Sequence, residues 1–220
     1  MIITLDGKVA TGKSTIAKMV AEAIGFIYFD TGAMYRALTY GLLKKNLAIE
    51  ETLPLQTFLE SFAFEIKNHK GHRRYFFENE DISEAIRGEK VTSIVSSVSA
   101  LKSVREKLVA MQREMAVGIN AVFEGRDMGT VVFPQAALKV FLTGDATVRA
   151  KRRYEELIAK FPEEKTHFSL ESCLTEIEKR DSLDSTRENS PLREPEGALV
   201  IDTTHISPNE IVKKILDYLP

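Results

Sequence analysis

Apolar residues along this chain fall into short continuous runs that alternate with stretches of helical period. The first run, IITL, ends at Asp6-Gly7 and predicts a short buried strand leading into a loop. From Ser14 to Ile24 the period changes. Ile16, Val20 and Ile24 recur on one helical face, and Gly25 is the stop. FIYF (26–29) predicts a second strand, and Asp30-Thr31-Gly32 caps a helix running through MYRALTYGLLKK. This strand–helix–strand–helix order predicts a parallel sheet covered by helices.

The middle of the chain breaks that rhythm. AFEIK (63–67) and RYFFE (74–78) read as strands joined by the polar turn NHKGHR, with DISEAIR after them. Two strands with no helix between them predict a small antiparallel lobe outside the main sheet. A helix of about 24 residues is expected from Val95. AVFE (121–124) then predicts a strand ending at Gly125-Arg126-Asp127, and LKVFLT (138–143) another. RAKRRYEELIAK is helical, bounded by Pro162 and a charged stretch, and ALVIDTT (198–204) is a fifth strand of the main sheet. The last helix opens with a capping box, Ser207-Pro208-Asn209-Glu210, with proline at its first position. The expectation is one α/β domain over 1–220, a five-stranded parallel sheet flanked by helices with two excursions.

Composition narrows the options. With 44% hydrophobic and 28% charged residues over 220 positions, the chain is an ordinary globule with one substantial core. A net charge of −2 gives no case for nucleic acid or an anionic membrane as the main partner. No apolar run approaches a membrane span, and Met1 leads directly into the first strand, so no leader is expected. Cys173 has no partner for an internal disulfide, which suits a reducing cytoplasm, and it is read as a packed apolar group. His69 and His72 have no carboxylate or cysteine pattern around them and are read as a solvated hairpin tip. A monomer is expected, since no exposed apolar stripe stands out.

Chemistry is concentrated in GKVATGKST (7–15). Gly7, Lys8, Val9, Ala10, Thr11, Gly12, Lys13 and Ser14 satisfy G-x-x-x-x-G-K-[ST], with a strand before and a helix containing Thr15 after. Successive backbone N–H groups of such a loop form an anion nest, and the helix N-terminus adds partial positive charge. Lys13 reaches the outer phosphates and Ser14 offers a hydroxyl to Mg²⁺, so the stretch predicts a site for ATP or GTP with Mg²⁺. Lys8 either reinforces the anion site or points into solvent; solvent is expected, because a nest works through its backbone.

The acceptor is read from arginines. Transfer to a phosphate needs no base, because the acceptor oxygen is already anionic; its difficulty is bringing two polyanions together. Arg36 lies one turn into the helix after the second strand, and Arg126 lies beyond a strand's carboxyl end, where α/β sheets bind ligands. Arg149, Arg152 and Arg153 share one helical face, either as a solvated basic face or as a lid that closes over phosphates; the FPEEK stretch after them favours the lid.

DTGAMYR, DISEAIR, GRDMGTVVFP, RAKRR and RD-x-x-D-x-x-R before Pro191-Leu192 occur in the order found in bacterial cytidylate kinases, and the chain resembles that family over nearly its whole length. The resemblance implies a P-loop kinase fold with a monophosphate-binding insert at 62–92 and a lid at 148–165. It implies that ATP phosphorylates CMP or dCMP. By the same resemblance Ser96, Arg105 and Asp127 read cytosine, and Arg180 and Asp184 hold the ribose. Thr31, Arg36, Arg126 and Arg187 surround the acceptor phosphate, with Tyr35 packing nearby. Lys13, Arg126 and the Arg149, Arg152, Arg153 trio act on the transferring group.

The chemistry agrees with that implication. Cytosine presents an amino donor at N4 that the Asp127 carboxylate can accept, whereas uracil presents an acceptor there and is expected to be the weaker substrate. The chain also departs from the family pattern. Lys8, Val9, Ala10 and Thr11 differ from its usual loop, Ala10 standing where the family has glycine, and Thr31 replaces serine. Glu124, a metal-orienting candidate with Ser14, stands where aspartate is usual.

Overall fold

The computed structural model describes residues 1–69 and 72–219, so the expected turn at Lys70-Gly71 lies outside the described residues, as do the side chains of His69 and His72. Two compact units divide the chain: Met1–Phe29 with Ala116–Pro220, and Asp30–Met115.

The first unit is built on the sheet. Its strands are β1 (Ile2–Gly7), β2 (Ile27–Asp30), β6 (Ala121–Gly125), β7 (Leu138–Thr143) and β8 (Leu199–Asp202), in the order β2-β6-β1-β7-β8. β1 is central and parallel to both β6 and β7, and β7 is parallel to β8. Ile3, Leu5, Val122, Val140 and Leu142 are fully buried in it, each worth on the order of 1.5–3 kcal/mol. Helices α1 (Lys13–Ile24) and α8 (Pro208–Leu216) pack their apolar stripes, Ile16, Val20, Ile211 and Ile215, into the same core. The capping box of α8 is present: Ser207 accepts from Glu210 N and the Glu210 side chain accepts from Ser207 N. Helices α6 (Ala146–Lys160) and α7 (Leu170–Thr186) pack on each other around Ala150, Cys173 and Ile177. Cys173 is buried there as a free thiol, and burial pushes its pKa up.

The second unit holds α2 (Thr31–Lys44), α3 (Leu53–Ser61), an antiparallel sheet of β3 (Phe64–His69), β4 (His72–Phe77) and β5 (Glu80–Asp81), then α4 (Glu89–Ala100) and α5 (Lys102–Met115). Its core is separate from the first and is rich in aromatics: Phe58, Phe62, Phe64 and Phe77 lie with ring centroids 5.6–6.2 Å apart.

One expectation fails in this unit. The helix of about 24 residues expected from Val95 is two helices broken at Leu101, whose backbone is extended (φ −66°, ψ 131°). In a continuous helix the Ser99 carbonyl would accept from Ser103 N. Here Arg105 Nη1 donates to Ser99 O at 3.1 Å, and Ser103 N donates to the Glu51 carboxylate at 3.0 Å. Two side chains replace one helical hydrogen bond, and the chain turns.

Candidate active site

In the first unit the site starts at the carboxyl end of β1. Gly7 has φ +152°, and a Cβ there would lie 2.1 Å from the Leu142 carbonyl oxygen, so only glycine lets the loop leave the sheet this close to β7. Gly12, left-handed at φ 86°, is the N-cap of α1 and aims the helix terminus at the loop. Ala10 also takes a left-handed φ of 58°, so the position where the family uses glycine does demand positive φ, and the Ala10 Cβ costs roughly 1–2 kcal/mol. Lys8 is half-buried, and its carbonyl does the local work: it accepts from Thr11 Oγ1 at 3.0 Å and from Lys13 Nζ at 2.5 Å. Ser14 and Thr15 are exposed at the start of α1.

Lys13 is buried, and burial, reinforced by the charge of Arg126, pulls its ammonium well below the usual lysine range; Glu124 and Asp184 oppose that pull. Arg126 Nε pairs with Asp184 Oδ2 at 2.8 Å. Arg187 lies 3.9 Å from both Asp184 Oδ1 and Asp127 Oδ1, and its Nε donates to Ser190 O at 2.8 Å. Burial alone would raise the Asp184 carboxyl, but Arg126, Arg180 and Arg187 hold it below the usual range. Lys13, Glu124, Arg126, Asp127, Arg180, Asp184 and Arg187 are thus one electrostatic cluster, assembled from α1, β6, the turn after it and α7.

Three residues of this unit escape sequence reasoning. Asp6, read as the start of a loop, is the fully buried end of β1, and its two carboxylate oxygens accept from Met128 N at 2.8 Å and Gly129 N at 2.7 Å. These bonds tie the phosphate loop's strand to the GRDMG segment, which continues as a π-helical turn over Met128–Val132. Burial raises the Asp6 pKa to about 7 despite those bonds, and Asp127 pushes the same way. A carboxylate closing an otherwise apolar strand was the available signal. Tyr28, buried on β2, donates to Glu124 Oε1 at 2.5 Å. Asp181, inside the quoted RD-x-x-D, pairs with Arg149 at 2.6 Å.

That pair lies at the basic face of α6. Arg149 is buried rather than solvated, with donors on Val9 O, Gly144 O and Asp181. Arg152 donates to the Thr203 carbonyl at 2.6 Å and to its hydroxyl at 3.1 Å. Arg153 pairs with Glu156 at 3.0 Å on the surface.

The second unit carries the other candidates. Asp30 caps α2 by accepting from Ala33 N at 3.0 Å and pairs with Arg87 at 3.2 Å; Thr31, the first helical residue, is buried. Arg36 Nη1 donates to Thr92 Oγ1 at 2.8 Å and to Ile86 O at 3.3 Å, tying α2 to the start of α4. Arg105 is buried with its guanidinium 5.3 Å above the Tyr35 ring. Ser96 is half-buried one turn before the break, and its carbonyl accepts from Ser99 Oγ at 2.9 Å. Ser99 in turn accepts from Arg105, so the break at Leu101 links Ser96 and Arg105 through one serine.

A glycine-rich loop from a central parallel strand into a helix, with a buried lysine and an arginine–carboxylate cluster beside it, defines a P-loop phosphotransferase. Solved structures agree on the fold: an uncharacterized protein from Eubacterium ventriosum matches at TM-score 0.54 and 12% identity over 99% of this chain and 97% of its own. A gluconokinase from Sinorhizobium meliloti matches at TM-score 0.51 and 15% identity over 98% of this chain and 89% of its own. Residues 3–220 match the cytidylate kinase family, and the chain belongs to it. It is 63% identical to the cytidylate kinase of Protochlamydia amoebophila over 99% of this chain and 96% of that one. It is 42% identical to that of Halalkalibacterium halodurans, covering 100% and 97%.

Proposed function

We propose that this protein transfers the γ-phosphate of ATP to CMP or dCMP, giving ADP and CDP or dCDP. The observation that carries the reading is the buried Lys13 at the start of α1 beside the Gly7–Ser14 loop, its ammonium disfavoured by burial and by the charge of Arg126. A cation held out of water is costly, and a polyphosphate offsets that cost. Membership of the cytidylate kinase family supports the choice of acceptor.

Lys13 and the loop N–H groups hold the donor phosphates, while Arg36, Arg126 and Arg187, with Thr31, hold the acceptor phosphate. No side chain need take a proton, because the attacking oxygen is already ionised. Asp127, Ser96 and Arg105 read the base, Asp127 accepting from the cytosine amino group, and Arg180 and Asp184 hold the ribose. Residues 62–92 act as the monophosphate-binding insert and 148–165 as the lid. Within the lid helix, Arg153 is the cation for the transferring group, since Arg149 and Arg152 are engaged in holding the helix to the loop and sheet ends. A catalytic arginine of this kind is worth about 10³–10⁵ in rate.

Mg²⁺ fits the residues present. It keeps several waters and takes one or two protein ligands beside substrate phosphates, so an exposed hydroxyl and one buried carboxylate are an adequate set. Ser14 and Glu124 would hold it, Glu124 oriented by Tyr28; when bound, the ion neutralises charge between the donor phosphates.

The test is ADP formation from ATP with each ribo- and deoxyribonucleoside monophosphate in turn. Turnover is expected with CMP and dCMP and weaker turnover with UMP. No turnover with either cytidine nucleotide overturns the assignment.

A further inference from the structure

The apex of the phosphate loop is gripped by two charges from outside it. Asp181 on α7 and Arg149 in the first turn of α6 form an ion pair of 2.6 Å, with side chains 11% and 3% exposed. Together they occupy both polar groups of Val9: its N–H donates to Asp181 Oδ1 at 3.0 Å, and its carbonyl accepts from Arg149 Nη1 at 2.9 Å. Arg149 Nε reaches on to the Gly144 carbonyl at 2.9 Å, just past β7. The Val9 side chain packs on the Ala150–Cys173–Ile177 cluster between α6 and α7. The next residue is Ala10, in its left-handed conformation.

An anion nest gains nothing by spending a loop N–H on a carboxylate, and a bare aspartate here would repel a polyphosphate. Paired with Arg149 the carboxylate adds no net charge, so what the pair contributes is geometry. It fixes the two peptide groups that flank Val9, next to the one loop residue whose backbone is unfavourable for its side chain, and such a conformation persists where its surroundings over-determine it.

We infer that Asp181 and Arg149 are positioning residues for the donor phosphate: they hold the peptide groups on either side of Val9 so that Ala10 stays left-handed and the loop keeps its anion-accepting shape. This rests on reading Gly7–Thr15 as the donor loop. Neither side chain has to touch the nucleotide, and Arg149 is thereby moved from the transferring group to the scaffold of the loop.

The test uses the full chain and two affinities, for a fluorescent ATP analogue and for CMP by calorimetry. Arg149→Lys keeps the charge but cannot span Val9 O and Gly144 O. Asp181→Asn keeps an acceptor for Val9 N–H but loses the anchor for Arg149. Each is expected to weaken ATP binding by about tenfold to a hundredfold while CMP affinity stays within about twofold. Adding Ala10→Gly to Asp181→Asn is expected to recover much of the loss, because glycine takes the left-handed conformation without a Cβ penalty. Unchanged ATP affinity, equal loss of both affinities, or no recovery with glycine overturns the inference. Wild-type protein that fails to bind the analogue sinks the donor-loop reading and the inference with it; wild-type binding matched by the variants sinks the inference alone.

Discussion

Asp6 offers a quantitative check on how the site is held. Its carboxylate is fully buried and accepts two backbone hydrogen bonds from the GRDMG segment, yet burial lifts its pKa from 3.8 to about 7. The folded protein therefore binds this proton more tightly than the unfolded chain does. Stability from Asp6 is full below about pH 4, falls as pH rises from about 4 to about 7, and is level above that. At about 1.4 kcal/mol per pH unit, the total is on the order of 4 kcal/mol. Asp6→Asn removes this titration but presents one acceptor and one donor where two N–H groups both need acceptors, a loss of about 1–3 kcal/mol at every pH. Wild type is thus expected to be the more stable protein near pH 4, and the variant to equal or exceed it above pH 7. Urea denaturation of both proteins from pH 4 to pH 9 reads the difference directly. A difference independent of pH, or one that grows in favour of wild type as pH rises, refutes the reasoning.

Other perturbations test other parts of the molecule. Tyr28→Phe removes the hydrogen bond that orients Glu124 and is expected to raise the half-saturating Mg²⁺ concentration by about tenfold with CMP affinity unchanged, read from magnesium titrations of the rate; no change in magnesium demand counts against Glu124 as the metal-orienting carboxylate. Gln112 is fully buried on α5, and its amide nitrogen and oxygen have no hydrogen-bond partner among the described residues; Gln112→Met is expected to stabilise the fold by about 1–3 kcal/mol, and a lowered denaturation midpoint would contradict this. Glu51→Ala takes away the acceptor for Ser103 N at the start of α5, at about 1 kcal/mol, and hydrogen exchange at that amide should quicken; unchanged exchange would show that the break at Leu101 does not depend on Glu51.

The strands were legible because continuous apolar runs such as IITL and LKVFLT have few other ways to be buried, and the loop was legible because its glycines, lysine and serine are each required by phosphate chemistry. The short helix α3 went unread although Thr52 caps it and Leu55, Phe58 and Leu59 carry its period. The break at Leu101 had no local sign: it is made by Glu51 and Arg105, one of them half a unit away in sequence. Asp6, Tyr28 and Asp181 were missed for the same reason. Each acts on a main-chain group or carboxylate that only the fold brings near it. A motif announces the groups that touch a ligand; the groups that hold those in place are written in tertiary partners.

The central place of β1 also has a consequence for how the protein is made. It is synthesised well before its neighbours, since Ile2 pairs with Ala121 and Gly7 with Leu142, and neither flanking strand exists until that length of chain has followed it. Closing loops of that length precedes any reward from the pairing, which makes such contacts slow to form. The Asp30–Met115 unit is one continuous stretch of chain with its own aromatic core, and its contacts close within that stretch. The Gly7–Ser14 loop therefore leaves the ribosome before the strands that shape it, and until β6 and β7 arrive the apolar β1 is the segment a chaperone would have to shield.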